Sequence, residues 1–362
     1  MEQPKSKIAL ISHSLGKGGA ERFAAGLSFL LTDLGHEIHH LIIEDAVDYD
    51  YAGSLYNLGE ICSNDNAFQR KINKGILLKK YLEQHQIDVV IDNRSRNNFI
   101  REWFAQRIYG NRKRICLVHS FKLDEYFPSS PMLAKILYSD AEKIVCVSQA
   151  IEAEIHRKYK LRNTVTIYNS IDFSKLKAEN KPNEFGNYVL YFGRLDEKVK
   201  NFSLMLEAFS LSKIYESGFK LLIMGDGPDS DFIKTEIAKW NLAQHIQLIP
   251  FQNNPYAVVG QAKFTLLTSR HEGFPMMLIE SLALGVPVVS VDCQSGPKEI
   301  IQNGQNGLLV PNHDAHVLAQ AIHKLATDSN LYDICKQNAA TSVAHLSVEN
   351  ISRQWQQILT QP

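Results

Sequence analysis

Glu272 and Glu280 stand eight residues apart in the segment Thr268–Gly285, TSRHEGFPMMLIESLALG. The pattern predicts a strand ending near Thr268, a loop carrying Glu272 and a helix carrying Glu280, with Pro275 in the first helical turn and Gly285 at the helix end. A carboxylate at a strand end accepts hydrogen bonds from polyol hydroxyls, and the N–H groups near Met276, Met277 and Leu278 can meet a phosphate. Two glutamates at this separation also arise by chance. The adjoining Gly273-Phe274-Pro275 and the helix N-terminus favour a polyol site over chance. Three other strand-to-loop junctions suit an anionic ligand. Gly193-Arg194-Leu195 runs on to Lys198 and Lys200, and an arginine fork with a lysine point charge suits a diphosphate. The same cations could instead pair at the surface with Asp196 and Glu197. Gly225-Asp226-Gly227 allows a close backbone approach or makes a plain turn. Gly16, Gly18 and Gly19 precede a helix whose N-terminus favours anions, and a tight turn explains them equally. Counted from Gly16, the sixth position is Glu21, so the dinucleotide fingerprint G-x-G-x-x-G is not met, and no G-x-x-x-x-G-K-[ST] loop occurs. Asp48-Tyr49-Asp50 and Asp229-Ser230-Asp231 do not follow strands as a metal site would require, so no metal is expected.

Junctions of this kind need elements to hold them. Ile8–Ser12, Val89–Asp92, Ile115–Val118 and Ile144–Ser148 are short apolar runs, too brief for helices, with helical patterns between them. Ala20–Leu34 places Phe23, Leu27, Leu30, Leu31 and Leu34 on one face and is ended by Gly35. The polar stretch Ser174–Asn187 reads as a linker or surface loop. The alternation then restarts with Tyr188–Phe192, Lys220–Met224, Ile246–Ile249, Phe264–Thr268 and Pro287–Val291, and ends in an amphipathic helix over Val348–Leu359. Strand–helix alternation of this kind predicts two α/β domains, each a doubly wound parallel sheet with its ligand at the carboxyl ends of the strands.

The 362 residues carry 39 basic and 39 acidic side chains, which argues against a nucleic-acid binder. The first 170 residues are slightly basic and the remainder slightly acidic. Two stretches concentrate the excess. Phe68–Tyr81 has five basic residues and no acid, and Arg94–Arg114 has seven against Glu102 alone. They are either solvated helix faces or a docking surface for anionic lipid or an anionic acceptor. No apolar run approaches the ~20 residues that span a bilayer, and no signal-peptide pattern opens the chain. Five scattered cysteines without a C-x-x-C pair suggest reduced thiols in a cytoplasmic protein.

Taken in order, these segments resemble the retaining glycosyltransferases of family 4, which have the GT-B fold. Gly18-Gly19-Ala20-Glu21-Arg22 is similar to the family's glycine loop. Ile167-Tyr168-Asn169-Ser170-Ile171-Asp172 is similar to its N-G-[IV]-D hinge segment, with Ser170 replacing the glycine. Gly193-Arg194-Leu195 with Lys200-Asn201 is similar to its donor-diphosphate motif, one residue longer than usual, so that Lys198 competes with Lys200. Glu272 and Glu280 match its E-x7-E motif, and Ser295–Ile301 and Asn306–Val310 match two downstream segments. The likeness is strongest from Tyr188 to Pro311.

The resemblance implies two Rossmann-like domains facing a cleft: residues 1–172 for the acceptor, 173–345 for the donor, and a C-terminal helix in 346–362 crossing back to the first. It implies that Arg194 and Lys200 bind the donor diphosphate, Glu272 the donor sugar and Glu280 the ribose. Gly193, Gly273, Phe274, Pro275, Met276, Met277 and Leu278 would bring backbone to the donor, Gly18 and Gly19 would pack beside the diphosphate, and Phe251 would lie near the base. His119, at the end of Ile115–Val118, would line the donor-sugar site; a capped strand-end histidine is the plainer alternative. The other twelve histidines are expected mostly at the surface. The implied activity moves a hexose or N-acetylhexosamine, with retention, from a nucleotide-sugar such as a UDP-sugar to a glycan or lipid-linked glycan acceptor: lipopolysaccharide, capsule or lipid-linked oligosaccharide. No cofactor is implied, and the location would be cytoplasmic or peripheral on the inner face of the bacterial cytoplasmic membrane. A phosphorylase, a nucleotide-sugar epimerase and a non-catalytic binder are the alternatives.

Overall fold

The computed structural model describes residues 5–16, 18–176 and 182–360, and the chain divides into two compact units. The first comprises the chain up to Asn169 together with Val348 onward. Its strands are β1 (Lys7–Ser12), β2 (Glu37–Ile42), β3 (Ser54–Asn57), β4 (Val89–Asp92), β5 (Lys113–Val118), β6 (Lys143–Cys146) and β7 (Thr164–Thr166). They form one parallel sheet in the order β3-β2-β1-β4-β5-β6-β7. Helices cover both faces, so the central strands read as unbroken apolar runs rather than alternating ones. Ile8 and Leu10 of β1 face the helix Gly19–Asp33, through Leu27, Leu30 and Leu31, and the final helix Val348–Thr360, through Ile351, Trp355 and Ile358. Ala9 and Ile11 face the other way, toward Leu78 and Leu82 of the helix Ala67–Gln84 and Tyr109 of the helix Phe99–Tyr109. The final helix therefore belongs to the first unit.

The second unit spans Ser170–Ser347. Its strands are β8 (Tyr188–Phe192), β9 (Lys220–Met224), β10 (Ile246–Ile249), β11 (Thr265–Leu267), β12 (Val288–Asp292) and β13 (Gly307–Pro311), parallel in the order β10-β9-β8-β11-β12-β13. The unit boundaries differ slightly from 172 and 346. The Ile171 N–H donates to the Leu346 carbonyl at 2.9 Å, and Ile171 bridges to Ser347, which ties both ends to the second unit. Ser174–Asn187 carries no named helix or strand among its described residues, and residues 177–181 lie outside them.

Several expectations need correction. β2, with sequence EIHHLI, is a buried strand despite its two histidines. His39 is held by Tyr81, Ser54 and Glu37, and burial pushes His40 down to about 4, so both enter the sheet uncharged. With His36 also buried, three of the twelve histidines other than His119 lie inside, while the other nine are partly or fully exposed. The basic run Arg94–Arg114 is not one solvated face either, because three of its seven cations point inward. Arg94 donates to both Asp92 oxygens, to Glu102 and to the Tyr109 hydroxyl. Arg96 donates to the carbonyls of Asp92, Arg94 and Leu117. Arg114 reaches Leu137 O and Asp140, and all three guanidinium groups are buried. Burial alone would raise the Asp92 carboxyl, but Arg94 and Arg96 overcome it and hold the group well below the usual carboxylate range. The five cysteines are buried free thiols.

Candidate active site

In the second unit the chemistry gathers where β8, β9, β11 and β12 end. After β8, Gly193 adopts φ +147° and donates its N–H to the Met224 carbonyl. After β9, Gly225 adopts φ +158°, and a Cβ there would sit 1.8 Å from the Gly193 oxygen. A Cβ on Gly227 would come 2.3 Å from the Leu195 oxygen. These glycines thus serve the approach of two strand-end loops to each other, and Leu195 N–H to Asp226 O at 2.9 Å closes the pair.

The loop after β8 runs into a single helical turn, Glu197–Lys200, and leaves it at Asn201 in the left-handed region, φ +56°. Asparagine tolerates that conformation better than most residues. The Thr268 hydroxyl donates to the Lys200 and Asn201 carbonyls and pins the turn to the end of β11. This turn gives the two lysines different surroundings. Lys198 is exposed, whereas Lys200 Nζ lies 2.6 Å from Glu272 Oε1 with both side chains largely covered. The Ser269 hydroxyl donates to the same Oε1 at 2.6 Å. Arg194 is exposed and only loosely paired, 3.7 Å from Asp196, while Glu197 pairs with Arg270 at 3.1 Å. Thr268, Ser269 and Arg270 were not singled out from the sequence. Their signal is position, since all three directly precede the Glu272 loop.

Glu272 is fixed from its other side by its own N–H, which donates to Gln294 O. Ser295 and Gly296, both at positive φ, bring the next loop against Gly273–Pro275. The Ser295 hydroxyl donates to Gly273 O at 2.8 Å, and a Cβ on Gly296 would lie 2.4 Å from Pro275 Cδ. Pro275 is the cap of the helix Met276–Ala283, one position earlier than the expected first turn, and it lends no side-chain hydrogen bond to that helix. Phe274 and Glu280 are buried, and Phe251 is 57% exposed beyond β10. A strand-end cation, a paired lysine and a helix N-terminus can stabilise a diphosphate, and a carboxylate with a neighbouring hydroxyl can hold a polyol.

In the first unit, His119 follows β5. Its Nε2 meets Asn93 Oδ1 at 2.5 Å, and the Asn93 amide donates to Ser12 Oγ and to Ala20 O at the N-terminus of the helix Gly19–Asp33. Because the Asn93 amide is committed as a donor, His119 carries its proton on Nε2 and presents Nδ1 as an acceptor. Burial, with Arg96 adding to it, pushes His119 down to about 3, so the ring is neutral. A Cβ on Gly18 would crowd the Glu21 carboxylate, whereas one on Gly19 would meet nothing within 4 Å. His119, Gly18 and Gly19 thus share one end of the first sheet through Asn93, a residue the sequence did not single out. Asp229 accepts from the Glu197 N–H and Asp231 pairs with Lys234. Among the described residues no cluster of three or more His, Cys, Asp or Glu could hold a metal ion.

Two family models match the chain in succession: Glycosyltransferase Family 4 over residues 17–175 and Glycosyl transferases group 1 over residues 172–342. A Campylobacter jejuni relative, N-acetylgalactosamine-N,N'-diacetylbacillosaminyl-diphospho-undecaprenol 4-alpha-N-acetylgalactosaminyltransferase, is 29% identical across 96% of this chain and 97% of its own. The Escherichia coli lipopolysaccharide 1,6-galactosyltransferase is 29% identical across 84% of each. Among solved structures, Anabaena HepE in complex with UDP-glucose superposes with a TM-score of 0.78 at 17% identity, covering 98% of this chain and 99% of that one.

Proposed function

Since the chain belongs to the family 4 glycosyltransferases, with the two-domain GT-B fold, we propose that it transfers a hexose or N-acetylhexosamine, with retention, from a UDP-sugar to a sugar acceptor of a bacterial surface glycan. The observation that carries this reading is the Lys200–Glu272–Ser269 arrangement beside the N-terminus of the helix Met276–Ala283. As the glycosidic bond breaks, negative charge grows on the departing diphosphate. Arg194 and Lys200 answer that charge, and the helix N-terminus adds its partial positive charge. These fixed cations do the work a divalent metal does elsewhere, so no cofactor is proposed. Glu272 accepts from donor-sugar hydroxyls and holds Lys200 in place; it is not assigned as a nucleophile. Glu280 serves the ribose, and Phe251 lies toward the base. The acceptor attacks from the face of the leaving group, and the diphosphate takes its proton. Support for the donor and acceptor class comes from relatives named for lipopolysaccharide and undecaprenol-diphosphate substrates and from a UDP-glucose complex of the same fold.

The test incubates the protein with a panel of UDP-sugars and lipid-linked glycan acceptors, reading UDP release and product anomer. UDP release with an α-linked product from an α-linked donor is expected. An inverted product overturns retention. Turnover that requires free phosphate, or interconversion of UDP-sugars without acceptor, moves the protein to a phosphorylase or an epimerase.

A further inference from the structure

The second unit has a further cleft, at the end of its sheet opposite the candidate active site. Its volume is about 360 Å³, and Tyr188, Lys263, Gly285, Tyr332 and Lys336 are among its lining residues. That volume lies within the ~300–1,000 Å³ range of small-molecule sites. Tyr188 opens β8, Lys263 stands two residues before β11 and Gly285 three before β12, so the cleft sits where these parallel strands begin. The Lys263 N–H donates to the Tyr188 carbonyl at 2.9 Å and fixes that edge. The five residues of β8 separate the cleft from Gly193, roughly 17 Å at ~3.3 Å per residue. Gly186 and Gly285 also line it, and a Cβ on either would meet nothing within 4 Å, so both leave open space.

Its cations set the chemistry. The helix Ser329–Ser342 carries Tyr332 and Lys336 one turn apart. Lys263 Nζ lies over the Tyr332 ring, 3.4 Å from its centroid, and Lys336 Nζ lies 5.8 Å from the same centroid. One ammonium on a ring face is an ordinary packing contact. The second adds like-charge repulsion that packing does not require. Among the described residues neither ammonium forms an ion pair with a carboxylate. Burial lowers the Lys263 ammonium from its ordinary value; Asp333 opposes that and Lys336 adds to it. An anion between the two lysines would relieve both the burial and the repulsion. Lysines serve phosphate as point charges, whereas an arginine fork is the better match for a carboxylate, and no arginine is among the described lining residues.

We propose that this cleft binds the phosphate group of a small molecule, held between Lys263 and Lys336. The site is separate from Arg194 and Lys200, and the proposal does not depend on the donor chemistry above.

The test titrates the full chain by calorimetry with inorganic phosphate and, separately, with glucose 1-phosphate, each with and without saturating UDP. Binding is expected in both conditions and should weaken with salt. Equal binding of the two probes makes phosphate alone the ligand, and tighter binding of glucose 1-phosphate makes it a phosphosugar; either supports the site. Tyr332 ring resonances should shift on titration. Lys263→Gln with Lys336→Gln, folded by its unchanged thermal midpoint, should bind at least about tenfold more weakly and lose that shift. If the double variant unfolds, Lys336→Gln alone, at an exposed helix position, should still bind at least about threefold more weakly. Lys239→Gln, exposed elsewhere on the unit, should bind as the parent does. No binding of either probe at low salt, binding abolished by UDP, or lysine variants that bind as the parent does overturns the proposal.

Discussion

One carboxylate oxygen of Glu272 accepts from both Lys200 and Ser269, so its geometry is set before any ligand arrives. Arg194 differs: it is exposed, 3.7 Å from Asp196, and has to be ordered by what binds. The two cations should therefore respond differently to removal. Arg194→Ala should lower turnover by about 10²–10³, as loss of a charge-stabilising donor does, with thermal stability unchanged. Lys200→Ala should lower turnover at least as far and also cost about 1–3 kcal/mol of stability, because a largely covered carboxylate loses its cation. UDP release and thermal denaturation of both variants check this, and an Arg194→Ala enzyme with parental turnover would remove that residue from the site. The placement of Glu272 on the loop and Glu280 on the helix was legible from the strand–loop–helix pattern. The shielding of Lys200 rather than Lys198 was not, because one helical turn decides which lysine faces Glu272. The arginines of Arg94–Arg114 misled for a related reason: a charged run looks solvated until its carboxylate and carbonyl partners are known, and these come from Asp92, Leu117, Leu137 and Asp140.

At the scale of elements, the loops after β8 and β9 are built backbone against backbone. Gly225→Ala would push a methyl group onto the Gly193 oxygen at a φ that disfavours side chains. A loss of several kcal/mol, about 3 or more, is expected, with loosening of the loop after β8. Chemical denaturation measures the first, and weaker UDP binding by calorimetry reports the second. A parental midpoint would contradict the close packing. Strands β1, β4, β5 and β8 were legible because strands covered on both faces read as apolar runs. β2 was hidden by His39 and His40, whose neutral rings are accommodated by partners or by plain burial.

At the scale of the molecule, those buried rings set an acid limit. An exposed histidine titrates near 6.5, while His40 is held down to about 4 and His119 to about 3. Below pH 6.5 the unfolded chain takes up protons that the folded chain refuses, so stability falls with pH, by up to about 1.4 kcal/mol per unit for each such histidine. Unfolding midpoints between pH 7 and 5 should decline, and His40→Leu should flatten the slope by about one proton. An unchanged slope would mean that His40 protonates in place. Sequence charge foretold none of this, since the neutral sum of 39 against 39 counts histidine as uncharged and is blind to burial.

The return of Val348–Thr360 to the first unit carries one more consequence. Trp355, fully buried between Ile8, Leu10 and the helix Gly19–Asp33, is synthesised after the entire second unit. During translation the first sheet waits with that face uncovered while some 180 further residues emerge, about 10–40 s at ordinary elongation rates. The unit that begins first at the ribosome is thus the one completed last, and its exposed apolar face in the interval is where a nascent-chain chaperone would be needed.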